Sequence, residues 1–454
     1  MPPTSVPAPA VPAHPPDGAV PAEPSPSPHS RLGWLDALRA VAALMVAFQH
    51  AGYRYVPKLQ WEISQWFDPG TYGITVFFLV SGYIVPASLT RTGDVRRFWI
   101  SRLFRIYPLW AFASAAIVVL AVTDVAEWRT GLPDVAPSTA VLAHLTMMQD
   151  LLFVPSVINV LWTLSYEMAF YLIVVALFTA RMHTRPAPVA ASFAVGAVAL
   201  GSLLPVAGLS RAADLDLVVA VVAACAACAI GGAMSGHRTV RTAGTLLGGV
   251  LGLVLVTLNG RVGPWQGLAI MAAMFTGTAI YQAERGWTER RPAVGGKGNG
   301  GRPAQDAARA AGAAGRGTVG LLAAGVLACS VVAGVWHSRT WGLPPAAEAA
   351  FQRAWTSAMV AAALTFAVGL AVRHRKLPRV LTGIGLISYS IYLLHPVLFQ
   401  SLDHLIGRPG SDNAWVLIAV LAALLLVSWA AYRLIEAPTQ RLGRAVARRW
   451  STTG

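Results

Sequence analysis

Charge is what this sequence has least of. Only 12% of its 454 residues are charged, against about 25% in a soluble domain. Hydrophobic residues make up 55%, and the mean hydropathy is +0.56. So little polar surface excludes a large soluble core. Apolar runs of about 20 residues, enough to cross a bilayer, recur along nearly the whole chain. Cysteine is scarce as well: Cys225, Cys228 and Cys329 all lie in apolar stretches. The C-A-A-C spacing of the first two has no second pair and no polar surroundings, so they read as packing residues rather than a redox centre. No His/Asp/Glu cluster has ligand spacing, and no metal is expected. Residues 1–30 hold no Lys or Arg but eleven prolines, too little apolar surface to offset the entropy of ordering, so a disordered tail is expected. That tail lacks the basic n-region and apolar h-region of a signal peptide, so the span after Arg31 is expected to stay as an uncleaved anchor.

What is abundant is positive charge: the net charge is +15 and the pI near 10.4. In a soluble protein this would point to nucleic acid. In a membrane protein Lys and Arg collect in cytoplasmic loops, and no nucleic-acid partner is expected. The hydrophobic pattern predicts an all-α, polytopic transmembrane bundle of about twelve spans. These fall at 34–53, 71–88, 103–123, 157–180, 187–207, 215–235, 242–258, 264–283, 317–336, 350–372, 380–402 and 414–436. The Pro-bounded stretch 138–156 is too short for another crossing and reads as re-entrant or interfacial. With the N-terminus inside, the inner loops and tails hold 26 basic residues and the outer loops 7, the asymmetry that sets orientation. Both termini are therefore expected in the cytoplasm of a cell-membrane protein. A Gly/Ala/Arg/Pro-rich segment at 284–316 reads as a flexible cytoplasmic linker inside a domain spanning 31–438. A basic cytoplasmic tail, 439–454, follows.

Charged groups inside spans are costly and mark function. The first span, WLDALRAVAALMVAFQH, holds Asp36, Arg39 and His50. Asp36 and Arg39, three residues apart, can pair on one face. Arg39 and His50 are eleven apart, which at about 100° per residue returns to the same face about 16 Å further along. Such an imidazole fits either a water-satisfied helix end or a group that accepts a hydroxyl proton near neutral pH. The following loop, RTGDVRRFWISRLFRIYP, carries Arg91, Arg96, Arg97, Arg102 and Arg105. Positive-inside anchoring explains much of it; the sharper reading is a bidentate phosphate site. Glu167 in LWTLSYEMAFYL is expected to orient His50 or the acceptor, or to be buried against an Arg or a helix N-terminus. His395, before Pro396, is expected to support a kink, and Glu436 to pair with a basic loop.

These segments resemble the acyltransferase-3 family of integral membrane O-acyltransferases. The resemblance rests on LDALRAVAALMVAFQH (35–50), GITVFFLVSGY (73–83), RRFWISRLFRIYP (96–108), LWTLSYEMAFYL (161–172), ISYSIYLLHPVL (387–398) and YRLIEAP (432–438). Residues 187–372 match only in hydrophobicity. The resemblance implies that His50 and Arg39 correspond to the essential His and Arg of the family's first span. It also maps Arg102 and Arg105 onto the family's cytoplasmic arginine motif linked to acyl-CoA; Arg97 and Tyr107 are expected to join them in binding the donor, and Asp36 and Glu167 to belong to the catalytic set. Ser388, Tyr389, Tyr392, His395 and Glu436 are expected to support the site. The implied reaction moves an acyl group, expected to be acetyl, from cytoplasmic acyl-CoA to a hydroxyl. The acceptor is a carbohydrate or glycosylated molecule such as an exopolysaccharide unit or macrolide sugar. Acyl-CoA is then a co-substrate rather than a bound cofactor. Many members carry Asp where this chain has Thr75, so any role for that carboxylate is lost. No esterase-like domain follows Glu436, so a relay through one is not expected. The rival class is a multi-span transporter or flippase, whose binding groups would concentrate near the midplane in both halves.

Overall fold

A computed structural model describes residues 33–260, 263–289 and 302–451. The expected tail at 1–30, and residues 290–301 of the expected linker, lie outside the described residues. All regular structure among the described residues is helical. The chain begins with α1 (Gly33–Tyr55), α2 (Pro57–Ser64), α3 (Pro69–Thr92), α4 (Val95–Val122), α5 (Pro137–Leu145) and α6 (Trp162–Thr179). It continues with α7 (Pro186–Ala199), α8 (Gly208–Ala212), α9 (Leu215–Ala233), α10 (Arg238–Leu258), α11 (Pro264–Glu289) and α12 (Arg302–Ser338). The last part holds α13 (Pro345–Ala371), α14 (Arg379–Leu386), α15 (Ser388–Ile406), α16 (Ala414–Ala431) and α17 (Ala437–Ser451).

Local chemistry sets the helix starts. Asp68 accepts a hydrogen bond from the Thr71 amide at 2.9 Å, with Pro69 as the first helical residue of α3. Asp94, Asp214 and Asn413 cap α4, α9 and α16 in the same way, each satisfying an amide that the first turn leaves unpaired. Between α3 and α4, Gly93 takes φ +66°, a left-handed stop that a side chain disfavours.

Among the described residues, eight helices are long and apolar enough to cross a membrane. A ninth crossing results if α14 and α15, bent by 65° at their junction, count as one span. This is a multi-pass membrane protein, and large apolar side chains such as Leu364, Val368 and Leu426 stay exposed on its flanks. The three other expected spans coincide with α1, α7 and α11, which fall short of that test in length or apolarity. The expected re-entrant stretch forms α5 and a 3-10 turn at Asp150–Leu152, with His144, Gln149 and Asp150 buried. Helix also extends into both sides of the expected linker, to Glu289 and from Arg302. The expected basic tail is α17, folded against α4.

α6 is enclosed almost all round. α3 is the other organising element, packed against α1, α11 and α13. Its approach to α11 is backbone-close: a Cβ on Gly82 would overlap the Met274 carbonyl, and one on Gly277 the Leu79 carbonyl. Thr278 Oγ1 donates to the Gly82 carbonyl at 2.9 Å across the same seam. Small residues permit such contact where lipid gives helices no hydrophobic drive to associate. α1 in turn packs on α14, α15 and α16, which brings its polar face against the C-terminal motifs.

Candidate active site

The helices define two ends. The arginine end gathers the start of α1, the α3–α4 turn, the end of α6 and the start of α15. The far end gathers the opposite termini. Arg39 and His50 mark the two ends of one face of α1.

At the arginine end, Arg39 sits in the combined field of Arg105, Asp36, Glu436 and Glu167. Arg39, Arg105, Glu167, Tyr171, Tyr389 and Tyr392 line a cavity of about 80 Å³, together with Phe77, Ser81 and Thr163. Tyr171 donates its hydroxyl proton to Glu167. Tyr389 donates to the Ile106 carbonyl at 2.9 Å, and Tyr392 to the Val160 carbonyl at 3.0 Å while also meeting Thr163 Oγ1 at 2.8 Å. Glu436 is buried and accepts from Ser390 at 3.0 Å and Gln440 at 3.0 Å. Its expected partner was a basic loop; a π-helical turn, Tyr432–Glu436, aims it into the bundle at Arg105 of that loop and at Arg39. Ser388 is buried nearby, and its hydroxyl makes no hydrogen bond.

The arginine loop divides by position. Arg97 is exposed, and its backbone amide completes the Asp94 cap at 3.1 Å. Arg102 is buried: it donates to Ser88 at 3.2 Å and lies over the Phe98 and Tyr171 rings, each 5.2 Å away. Its Nε lacks a hydrogen-bond partner. Arg105 faces the cavity. Tyr107 turns away from it and donates to the Leu145 carbonyl at 2.8 Å. Of the four residues expected to serve the donor, Arg105 and Arg102 therefore join Arg39, while Arg97 and Tyr107 do not.

At the far end, His50 Nδ1 lies 2.8 Å from His395 Nε2. This is the contact that spacing did not reveal: His395 was expected to support a kink, and Glu167 to orient His50. Glu167 stays with the arginines, and His395 touches His50. The pair is held by a polar clasp. Arg54 bonds Asp403 at 3.0 Å and the His50 carbonyl at 3.2 Å, while Tyr55 and Arg408 reach the same Asp403 at 3.2 and 2.8 Å. His395 follows Tyr392 by one turn, so the imidazole pair stands just beyond the far limit of the small cavity.

A larger cavity of about 480 Å³ adjoins it, sharing Ile74 and Phe78. Its polar lining comes from Thr71, Asp150, Asn159 and Gln266, and its aromatic lining from Trp162 and Trp355. Sequence reasoning missed this chamber. α11 and α13 carry no motif, and the connection between α5 and α6 reads only as a short apolar stretch.

No solved structure matches this chain. A Bacillus subtilis (strain 168) protein named "Putative peptidoglycan O-acetyltransferase YrhL" is 28% identical over 181 residues, 36% of this chain and 26% of that one. "Nodulation protein 10" of Rhizobium leguminosarum bv. viciae is 29% identical over 167 residues, 30% of this chain and 41% of that one. "Putative O-acetyltransferase SACOL0978" of Staphylococcus aureus (strain COL) is 33% identical over 98 residues, 20% of this chain and 13% of that one. The chain thus spans less than half the length of these relatives. A model of the acyltransferase domain, type 3, matches residues 32–433, which takes in α1 through α16 and both ends of the polar face. The chain belongs to the acyltransferase-3 family.

Proposed function

We propose that this protein transfers an acyl group, acetyl in the first instance, from acyl-CoA to a hydroxyl of a carbohydrate-containing acceptor. The observation that carries this reading is one helix face with an arginine cluster at one end and a paired imidazole at the other. The 26-to-7 distribution of basic residues supports a cytoplasmic arginine end and cytoplasmic termini. Acyl-CoA then enters from the cytoplasm, with Arg105 and Arg39 engaging its phosphates and Arg102 adding positive charge from behind the Tyr171 ring. The pantetheine arm follows the tyrosine-lined cavity toward His50. The larger cavity seats the acceptor. Its volume lies within the range of small-molecule sites, about 300–1,000 Å³, and its tryptophans and amides suit the apolar faces and hydroxyls of a sugar ring.

His50 acts as general base. It takes the hydroxyl proton as the oxygen attacks the thioester carbonyl. Collapse of the tetrahedral adduct breaks the C–S bond, and the proton passes from His50 to the departing thiolate. The products are the ester and free CoA, with no change of redox state and no net proton. Positioned general-base catalysis contributes about 10²–10⁴-fold.

The test uses purified protein in proteoliposomes with radiolabelled acetyl-CoA and N-acetylglucosamine oligomers. Label is expected in the oligosaccharide with equimolar release of CoA, and His50→Ala is expected to lose at least about 100-fold. Full activity in a folded, membrane-inserted His50→Ala protein overturns the assignment of the base. Movement of the oligosaccharide across the bilayer without CoA release would instead establish a transporter.

A further inference from the structure

The hydrogen bonds around His395 determine which nitrogen of His50 is available for chemistry. His395 Nδ1 lies 3.2 Å from the Ile391 carbonyl. A carbonyl oxygen only accepts, so His395 Nδ1 carries the hydrogen. The His395 ring is fully buried. The charged side chain acting on both rings is a cation, Arg54; a buried positive ring would need a counter-charge, so His395 is neutral. A neutral imidazole bears one N–H, which leaves His395 Nε2 as a lone pair. That lone pair faces His50 Nδ1 at 2.8 Å. The contact is a hydrogen bond only if His50 Nδ1 bears the hydrogen, and His50 Nε2 is then bare.

We infer that His395 is a positioning residue that holds His50 in the tautomer whose free Nε2 accepts the acceptor's proton. The inference rests on His50 as the base of the proposed reaction. The Ile391 carbonyl, one turn earlier on the same helix, fixes the ring's own tautomer through that bond. One backbone carbonyl therefore sets the protonation pattern of two rings. When His50 accepts a proton on Nε2, its Nδ1–H still donates to His395, so the transient cation gains a partner although no carboxylate among the described residues touches it. No proton moves onto His395.

A neutral acceptor is all that this role requires, which separates it from acid–base work and from packing. Glutamine at 395 keeps a carbonyl oxygen as an acceptor for His50 Nδ1–H but cannot exchange protons; leucine keeps volume alone. For His395→Leu the expected result is a kcat at least about 100-fold lower, the low end of the general-base contribution, with the KM for acetyl-CoA unchanged. For His395→Gln at least a tenfold recovery over leucine is expected. An independent readout is the ¹⁵N–¹H spectrum of histidine-labelled protein, with His50 assigned by its loss in His50→Gln. It should show the Nδ1–H form in the native protein and in His395→Gln, and a mixture of forms in His395→Leu. An Nε2–H form in the native protein overturns the inference whatever the activity. So does a folded His395→Leu protein with native kcat, or equal loss in the glutamine and leucine proteins. If His50→Ala is active but the native spectrum shows the Nδ1–H form, the reading of His50 as base has failed and the tautomer lock has not.

Discussion

The seam between α3 and α11 offers the sharpest test of the architecture, through Gly82→Ala. The added methyl would be driven into the Met274 carbonyl. That obstacle is helix backbone and cannot rotate aside. Restoring an ordinary non-bonded separation of about 3.5 Å requires the two helices to part by more than about 1 Å. Both helices wall the large cavity: Ile74, Thr75 and Phe78 come from α3, and Gln266, Ala269, Ile270 and Ala273 from α11. A displacement of about 1 Å in positioning elements costs catalysis about 100-fold. Overpacking costs about 1–3 kcal/mol or more in stability. The assay pairs acetyl transfer in proteoliposomes with the Tm of the detergent-solubilised protein. Both are expected to fall in Gly82→Ala and in Gly277→Ala. Gly325→Ala is the control, because a Cβ there meets nothing within 4 Å; it should leave both values unchanged. A Gly82→Ala protein with native activity and Tm would refute the seam, and with it the placement of the chamber between these helices.

Three further expectations can be checked with the same preparation. Arg105→Ala should raise the KM for acetyl-CoA at least about tenfold, the worth of one charge-assisted hydrogen bond of about 1.5–3 kcal/mol; Arg97→Ala should not, and isothermal titration with CoA separates the two. Arg102→Lys should lose thermal stability, because an ammonium cannot both reach Ser88 and lie flat between the Phe98 and Tyr171 rings; an unchanged Tm would contradict that enclosure. Asp403→Asn should lower Tm and kcat together, since it weakens the Arg54 and Tyr55 contacts that fix the end of α1, whereas the KM for acetyl-CoA should not move.

The sequence legibly carries what is local. Asp36, Arg39 and His50 could be placed on one face of α1 because a helix has a fixed period. Every expected span has a helix beneath it because twenty apolar residues leave the backbone few alternatives in lipid. Contacts between distant segments were another matter. His395 lies 345 residues from His50 in sequence, and nothing in ISYSIYLLHP says which neighbour its ring will meet. Arg102 and Arg105 share a motif, yet packing encloses one guanidinium between aromatic rings and leaves the other facing a cavity. The chamber lined by Asn159, Gln266 and Trp355 was least visible of all. Its polar groups come from separate parts of the chain, Thr71 from α3, Asp150 and Asn159 from the α5–α6 connection and Gln266 from α11, each unremarkable within its own segment.

The π-helical turn at Tyr432–Glu436 gives the C-terminal region a dependence on chain length as well as on residue type. A π turn holds one residue more than regular helix, so everything after it is rotated by about 100° relative to a plain continuation of α16. That offset points Glu436 at Arg39 and Arg105. It also brings Gly443 against Phe104 of α4, where any Cβ would collide. Deleting one residue within the turn would heal the helix locally and yet turn the carboxylate toward lipid and a bulkier side chain onto Phe104. In this segment an in-frame loss of a single codon should do more harm than most substitutions, because it changes the phase of the helix rather than its chemistry.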